Sequence, residues 1–368
     1  MNYKHLLSYA LAATLLTSCI NMKGKDGEPG KDGEPGINGQ TGKDGADGIS
    51  GNSNSVLDYS QVDITSYAKT ITEEELKEQL YFYASDEMEG RATGSPGQKR
   101  AVNYLRKQYK KMGVAGGGEN GDYFQIVPGK AFGKPELSSE NVLAFIEGAE
   151  FPNEILVISA HLDHIGVHDG KVFNGADDDG SGTIALLEIA EAFKQAADDG
   201  YGPKRSILFL HVTGEEIGLK GSKYYADNPI YPMANTIADL NIDMIGRIDP
   251  AQKEDPDYVY LIGSDMLSQD LHDISEAANK KSVNMRLDYS YNGKNDPNRF
   301  YYRSDHYNFA KNDVPVIFYF NGTHEDYHKA TDTPDKIEYK LYQRRAQLIF
   351  VTAWDLANAD KRPALTDK

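Results

Sequence analysis

Six short runs rich in β-branched and aromatic residues constrain this chain more than any other feature: NVLAFIEG (141–148), EILVISA (154–160), SILFLHV (206–212), IADLNIDM (237–244), YVYLIG (258–263) and VPVIFYF (314–320). Nearly unbroken apolar character is the mark of strands buried on both faces. Stretches of helical period lie between them. Leu186, Ile189, Ala190 and Phe193 recur at i, i+3, i+4 and i+7, and a long helix is expected from about 337 to 357. Thr72 with Glu75 and Ser95 with Gln98 form capping-box pairs, the second followed by Pro96, so helices start at both places and the second stops at Gly113. The glycine-rich stretch 113–121 lacks the lysine and hydroxyl of a phosphate-binding loop and reads as a loop only. Together these patterns predict an α/β fold with a mixed, mostly parallel central sheet flanked by helices.

The first 55 residues obey other rules. Lys4 precedes an apolar run from Leu6 to Leu16, too short to cross a bilayer, and Thr17-Ser18-Cys19 follows. The sequence LTSC (16–19) resembles the bacterial lipobox, against the plainer reading of an ordinary signal peptide with an incidental cysteine. Residues 1–18 are thus expected to be a lipoprotein signal peptide and Cys19 the lipidated residue, placing the protein in the bacterial cell envelope, anchored to a membrane. Which side of the membrane it faces stays open. Cys19 is the only cysteine, which excludes an intramolecular disulfide. From Gly24 to Gly51 glycine occupies every third position with only two prolines, a collagen-like tract that either forms a trimer or serves as a hydrophilic spacer. Residues 19–55 are read as lipidated cysteine plus tether, and 56–368 as the globular domain. A formal charge of −17 with no basic stripe argues against a nucleic-acid partner.

Charged residues gather just past the expected strands. His161 and Asp163 follow EILVISA, Glu215 and Glu216 follow SILFLHV, Asp243 lies at the end of IADLNIDM, and His328 comes after VPVIFYF. Sites in open α/β sheets collect outside the carboxyl ends of the strands, so four strands would deliver these groups to one rim. GADDDGSG (175–182) can reach the same rim from the loop before the next helix. Imidazoles and carboxylates without thiolate suit zinc, and the number of donors fits two ions better than one. A carboxylate has one oxygen for each ion, and three adjacent aspartates need concentrated positive charge nearby.

SAHLDHIG, GADDDGSG, VTGEEIGLKGS, NIDMIG and YHKATDT, in this order and at these intervals, resemble the co-catalytic zinc exopeptidases (peptidase family twenty-eight) that include bacterial leucyl aminopeptidases, glutamate carboxypeptidase II and the transferrin receptor. The resemblance runs from LYFYASDEMEGRATGSPG to the end of the chain. It implies the three-layer zinc exopeptidase fold and a zinc peptidase domain over 56–368. It also implies two co-catalytic zinc ions, one held by His161 and Asp243, the other by Glu216 and His328, with Asp178 as the bridge. Asp163 would accept the second ring N–H of His161, as carboxylates behind zinc-bound histidines do. Glu215 would be the general base acting on a water between the ions, and Tyr301, three residues before SDH (304–306), would meet the developing oxyanion.

The implied activity is an aminopeptidase acting on peptides with a free N-terminus. The alternatives are a dipeptidase, carboxypeptidase or glutaminyl cyclase on the same fold, or a non-catalytic binding module displayed on the tether. Retention of both His161 and Asp243 argues against a one-zinc cyclase, and the complete donor set argues against a binding module. Among the remaining histidines, His164 and His168 have the spacing of a helical metal pair but lie in a glycine-containing loop without a zincin glutamate, so both are expected to be solvent-facing or structural. His211 is expected in the core and His306 behind the pocket floor, while His272 and His324 carry no signal.

Overall fold

The computed structural model describes residues 62–293 and 295–366. The segments read as signal peptide, lipidated cysteine and Gly-x-y tract lie outside the described residues, as does the boundary at 55/56. In chain order the strands are β1 (Ala115–Gly116), β2 (Phe124–Val127), β3 (Ser139–Ile146), β4 (Phe151–His161), β5 (Gly166–His168), β6 (Lys171–Phe173), β7 (Arg205–Val212), β8 (Thr236–Ile242), β9 (Tyr258–Ile262), β10 (Arg286–Asp288) and β11 (Val316–Phe320). The helices are α1 (Ile64–Ala68), α2 (Glu73–Tyr83), α3 (Pro96–Met112), α4 (Gly182–Asp198), α5 (Lys220–Asp227), α6 (Gln269–Lys281), α7 (His306–Ala310) and α8 (Tyr339–Asn358).

Each of the six apolar runs contains a strand, and the two capping boxes start helices as expected. The Thr72 side chain accepts from the Glu75 N–H at the start of α2, and Ser95 accepts from the Gln98 N–H at the start of α3. Gly113 ends α3 with φ of 76°, a left-handed C-cap. The loop expected at 113–121 also supplies β1, a two-residue edge strand too short to show a period.

The main sheet has the order β1-β3-β7-β4-β8-β11-β9-β10, with β2 also paired to β3. Its centre, β7-β4-β8-β11, is parallel; β3 and β9 join it antiparallel on either side. Alternate side chains divide the core between the two faces of the sheet. Leu156, Ile158, Ile207 and Phe209 pack with α4 and α8, whereas Ile155, Val157, Leu208 and Leu210 pack with Tyr225 of α5 and Phe309 of α7. Helix α4 is apolar nearly all round, because it is covered by α2 and α8 as well as by the sheet.

The register brings the strand ends level. His161 at the end of β4 pairs with Val212 at the end of β7, and Ile242 at the end of β8 pairs with Tyr319 of β11. The four parallel strands therefore open onto one rim, with the loops carrying Glu215 and Glu216, His161, Asp243 and His328 side by side.

Candidate metal centre

Each residue of the triple aspartate has a separate task. Asp177 Oδ1 accepts from the Gly246 N–H at 2.7 Å and the Ser181 hydroxyl at 3.0 Å, while its Oδ2 lies 3.1 Å from His324 Nε2. Asp179 accepts from three main-chain groups: the N–H of His161 (3.1 Å), of Gly182 (2.9 Å) and of Met244 (3.0 Å). It thereby ties the end of β4 to the residues just past β8. A Cβ at Gly182 would stand 2.4 Å from the Asp179 carboxylate and 2.5 Å from the Ile242 carbonyl, so this junction requires glycine. Asp178, between them, turns its carboxylate to the rim. The peptide bond between Asp178 and Asp179 is cis.

The Asp178 carboxylate faces two imidazoles from opposite ends of the site. Its Oδ1 lies 3.2 Å from His161 Nε2, and its Oδ2 lies 3.0 Å from His328 Nε2. His161 Nε2 is 3.6 Å from Asp243 Oδ1, and His328 Nε2 is 3.3 Å from Glu216 Oε2. The structure thus brings together all five residues expected as ligands, in two groups that share Asp178. His328 adopts a left-handed φ of 55°, uncommon away from glycine and a local strain that the surrounding loop must hold. Glu215 lines the same pocket as His161, Asp178, Asp243 and His328.

These donors fit a pair of divalent cations. Among the described residues, buried Asp178 Oδ2 and Glu216 Oε1 have no hydrogen-bond partner, although such atoms are costly to leave unsatisfied. Burial pushes the Glu215 carboxyl up, opposed by the charge of His161 and helped by those of Asp243, Asp305 and Glu216, leaving it well above the usual carboxylate range. Burial and then the charge of Asp178 push Glu216 to about 8. Burial opposes the Asp178 carboxylate too, but hydrogen bonding from His161 and the proximity of His164 and His328 hold it well below the ordinary value. Repulsion among buried acids is what a bound cation removes, and nitrogen and oxygen donors without sulfur suit zinc.

Two expected roles differ in detail. The Nδ1 of His161 bonds to the main-chain carbonyl of Asp163 at 3.1 Å, while the Asp163 carboxylate stands 3.9 Å away. That carboxylate accepts instead from the Thr93 hydroxyl (2.7 Å) and the Glu215 N–H (3.2 Å), so it anchors the loop carrying Glu215. Tyr301 does not line the pocket. It lies in a single tight turn, Phe300–Tyr302, where residues three apart share a face. Phe300 and Arg303 consequently face the pocket, while Tyr301 packs on Gly263, His306 and Tyr307. The phenol that does line it is Tyr327, whose ring stacks on His328 at 3.9 Å between centroids.

Several contributors escaped the sequence reading. Asp332 accepts from the N–H groups of Asp177 and Asp178, and Ser304 donates to Asp243 Oδ2 at 2.6 Å. Both sit in motifs that the sequence displays, YHKATDT and SDH, and this was the available signal. His164, expected to be solvent-facing or structural, is buried with Nδ1 2.7 Å from Glu216 Oε1. His168 is exposed, as expected for a residue at the tip of the β5–β6 hairpin. His211 is buried against the Tyr109 hydroxyl, and His306 stacks behind Phe318, a pocket-lining ring.

The chain is similar to several known proteins. Leupeptin-inactivating enzyme 1 of Streptomyces exfoliatus is 32% identical over 173 residues, covering 47% of this chain and 35% of that protein. The probable leucine aminopeptidase 2 of Aspergillus oryzae is 31% identical over 185 residues, covering 50% of this chain and 33% of the other. The chain thus spans about a third of the length of these curated relatives. The crystal structure of the LapA aminopeptidase of Legionella pneumophila superposes with a TM-score of 0.63 at 21% identity, over 81% of this chain and 75% of that one, a likeness of fold. Residues 141–353, the span from β3 through most of α8, match the model of Peptidase family M28, and the chain belongs to that family.

Proposed function

We propose that this protein is a di-zinc aminopeptidase. The observation that carries the reading is the Asp178 carboxylate, with one oxygen toward His161 and the other toward His328, in the pocket that Glu215 also lines. His161, Asp178 and Asp243 would hold one ion, and Asp178, Glu216 and His328 the other. Bound zinc supplies Lewis acidity at a carbonyl and makes water a nucleophile near neutral pH. The protein does the rest. Glu215 takes the proton of the attacking water and delivers it to the leaving amine. Tyr327 donates its hydroxyl to the oxygen on which charge develops. Phe300, Phe318 and Phe320 with Met244 form an apolar wall for the side chain of the terminal residue, and Arg303 stacks over Phe300 beside it. The aminopeptidase names of two relatives support the choice of N-terminal residues.

The matching test compares aminoacyl arylamides with free and acetylated N-termini, alongside metal content. Wild type should bind two zinc ions and cleave only the free forms, and Glu215→Gln should keep its zinc while losing about three to four orders of magnitude in kcat. Equal cleavage of acetylated substrates, or an active Glu215→Gln protein, would refute the reading. We further propose, on the lipobox resemblance and the glycine period, that Cys19 is lipidated and that residues 24–51 act as a spacer between a membrane and the catalytic domain. Globomycin-sensitive processing and incorporation of labelled palmitate, both lost in Cys19→Ala, would test this.

A further inference from the structure

The segment His161-Leu162-Asp163-His164 carries a second imidazole into the site. The His164 N–H donates to the Arg91 carbonyl at 3.3 Å, which fixes the backbone. Its ring lies against Gly175, where a Cβ would meet the imidazole Cγ and Cδ2 at 2.5 Å; residue 175 is a glycine with φ of 54°, and this seat exists only because of it. The ring is fully enclosed and lies edge-on to that of His328, with centroids 6.0 Å apart. Nδ1 is 2.7 Å from Glu216 Oε1 and 3.8 Å from Asp178 Oδ2.

Proximity here is not hydrogen bonding. Among the described residues, His164 Nδ1, Glu216 Oε1 and Asp178 Oδ2 make no aligned hydrogen bond, although all three atoms are buried and close together. Unsatisfied buried polar atoms are rare singly, and a group of them around one point calls for a common partner. One donor atom each of His164, Asp178 and Glu216 lie within 4.8 Å of one another, a spread that a single cation can span.

Resting on the di-zinc reading above, we propose that His164 is a ligand of the second cation, which is then held by His164, Asp178, Glu216 and His328. The first cation is held by His161, Asp178 and Asp243 alone. The two positions are therefore unequal. Four protein donors at the second position against three at the first would hold the second ion more tightly. Helical spacing misleads for His164 and His168, because the pair lies on a loop and hairpin and only the first of the two turns inward.

X-ray absorption on the zinc-loaded protein reads the ligands directly. Three imidazoles shared by two zinc ions are expected in the wild type, and two in His164→Gln and His164→Ala. Chelator competition should resolve two affinities in the wild type, with the tighter one weakened at least tenfold in both variants. A wild type holding two zinc ions with only two imidazoles overturns the role of His164 and leaves the di-zinc centre standing; this outcome needs no variant to fold. An unchanged imidazole count in His164→Gln also overturns it, leaving His164 as packing beside Glu216. A wild type that takes up no zinc sinks the di-zinc reading and this inference with it.

Discussion

Asp332 supports the loop that carries Asp178, and its removal offers a quantitative check on how the site is built. Its Oδ2 accepts from the Asp177 N–H at 3.0 Å and from the Asp178 N–H at 3.1 Å, and its Oδ1 lies 3.2 Å from the Asp177 nitrogen. All of these groups are buried. Asp332→Ala leaves two enclosed N–H groups without an acceptor, at roughly 1–3 kcal/mol each, or about 2–6 kcal/mol in all. Water entering the space left by the carboxylate brings the expected loss to about 3 kcal/mol. Asp332→Asn can turn its carbonyl toward both N–H groups and forfeits chiefly the charge, about 1 kcal/mol. Because one of those N–H groups belongs to Asp178, the loss should also reach the metal, by roughly 10- to 100-fold in zinc affinity for the alanine variant. Urea unfolding in the presence of zinc and of excess chelator measures the first effect, and chelator competition the second. The order expected in both is wild type, then Asn, then Ala. An alanine variant that is destabilised yet binds zinc within twofold of wild type would show that Asp178 is oriented by something other than this carboxylate.

Two further outcomes follow from the same geometry. Tyr327→Phe should lower kcat by roughly 10²-fold with little change in KM, as loss of one oxyanion donor does, while Tyr301→Phe stays near wild type; the reverse pattern in steady-state kinetics would restore Tyr301 to the reaction. Glu188, buried on α4 beside the Gln79 amide, is pushed from 4.5 to about 8 by burial and then by Glu75 and Glu191. Folding thus disfavours its charged form, so the wild type loses stability as pH rises from the unfolded value through the folded one. Glu188→Gln should gain over wild type by about 1 kcal/mol at pH 5 and by up to about 4 kcal/mol at pH 8. Parallel stability curves for the two proteins across that range would rule the effect out.

The residues legible in the sequence were those whose role depends on chain-local patterns. Apolar runs located β3, β4, β7, β8, β9 and β11, and capping pairs located the starts of α2 and α3, because both signals arise from neighbours a few residues apart. Placing donors just past several strands was enough to gather His161, Asp243, Glu216 and His328 at one rim. The spacing did not say where each side chain points. Tyr301 and Tyr327 are both tyrosines near the pocket in sequence; the phase of the Phe300–Tyr302 turn points one away, and the stacking on His328 brings the other in. The bond from His161 Nδ1 goes to a carbonyl of Asp163 instead of its carboxylate, a choice decided by competing donors on Thr93 and Glu215.

What this sequence determined by itself is a mostly parallel sheet, its helices and a set of oxygen and nitrogen donors at the strand ends, since these follow from periodicity and from the chemistry of residue types. Only the tertiary structure decided that Asp177 and Asp179 turn to donors of other segments, that His164 is buried beside Glu216, and that Asp332 and Asp179 hold the loop in place. Those outcomes depend on hydrogen bonds between segments far apart in the chain, and a donor buried by one segment must find its acceptor wherever the others happen to bring it.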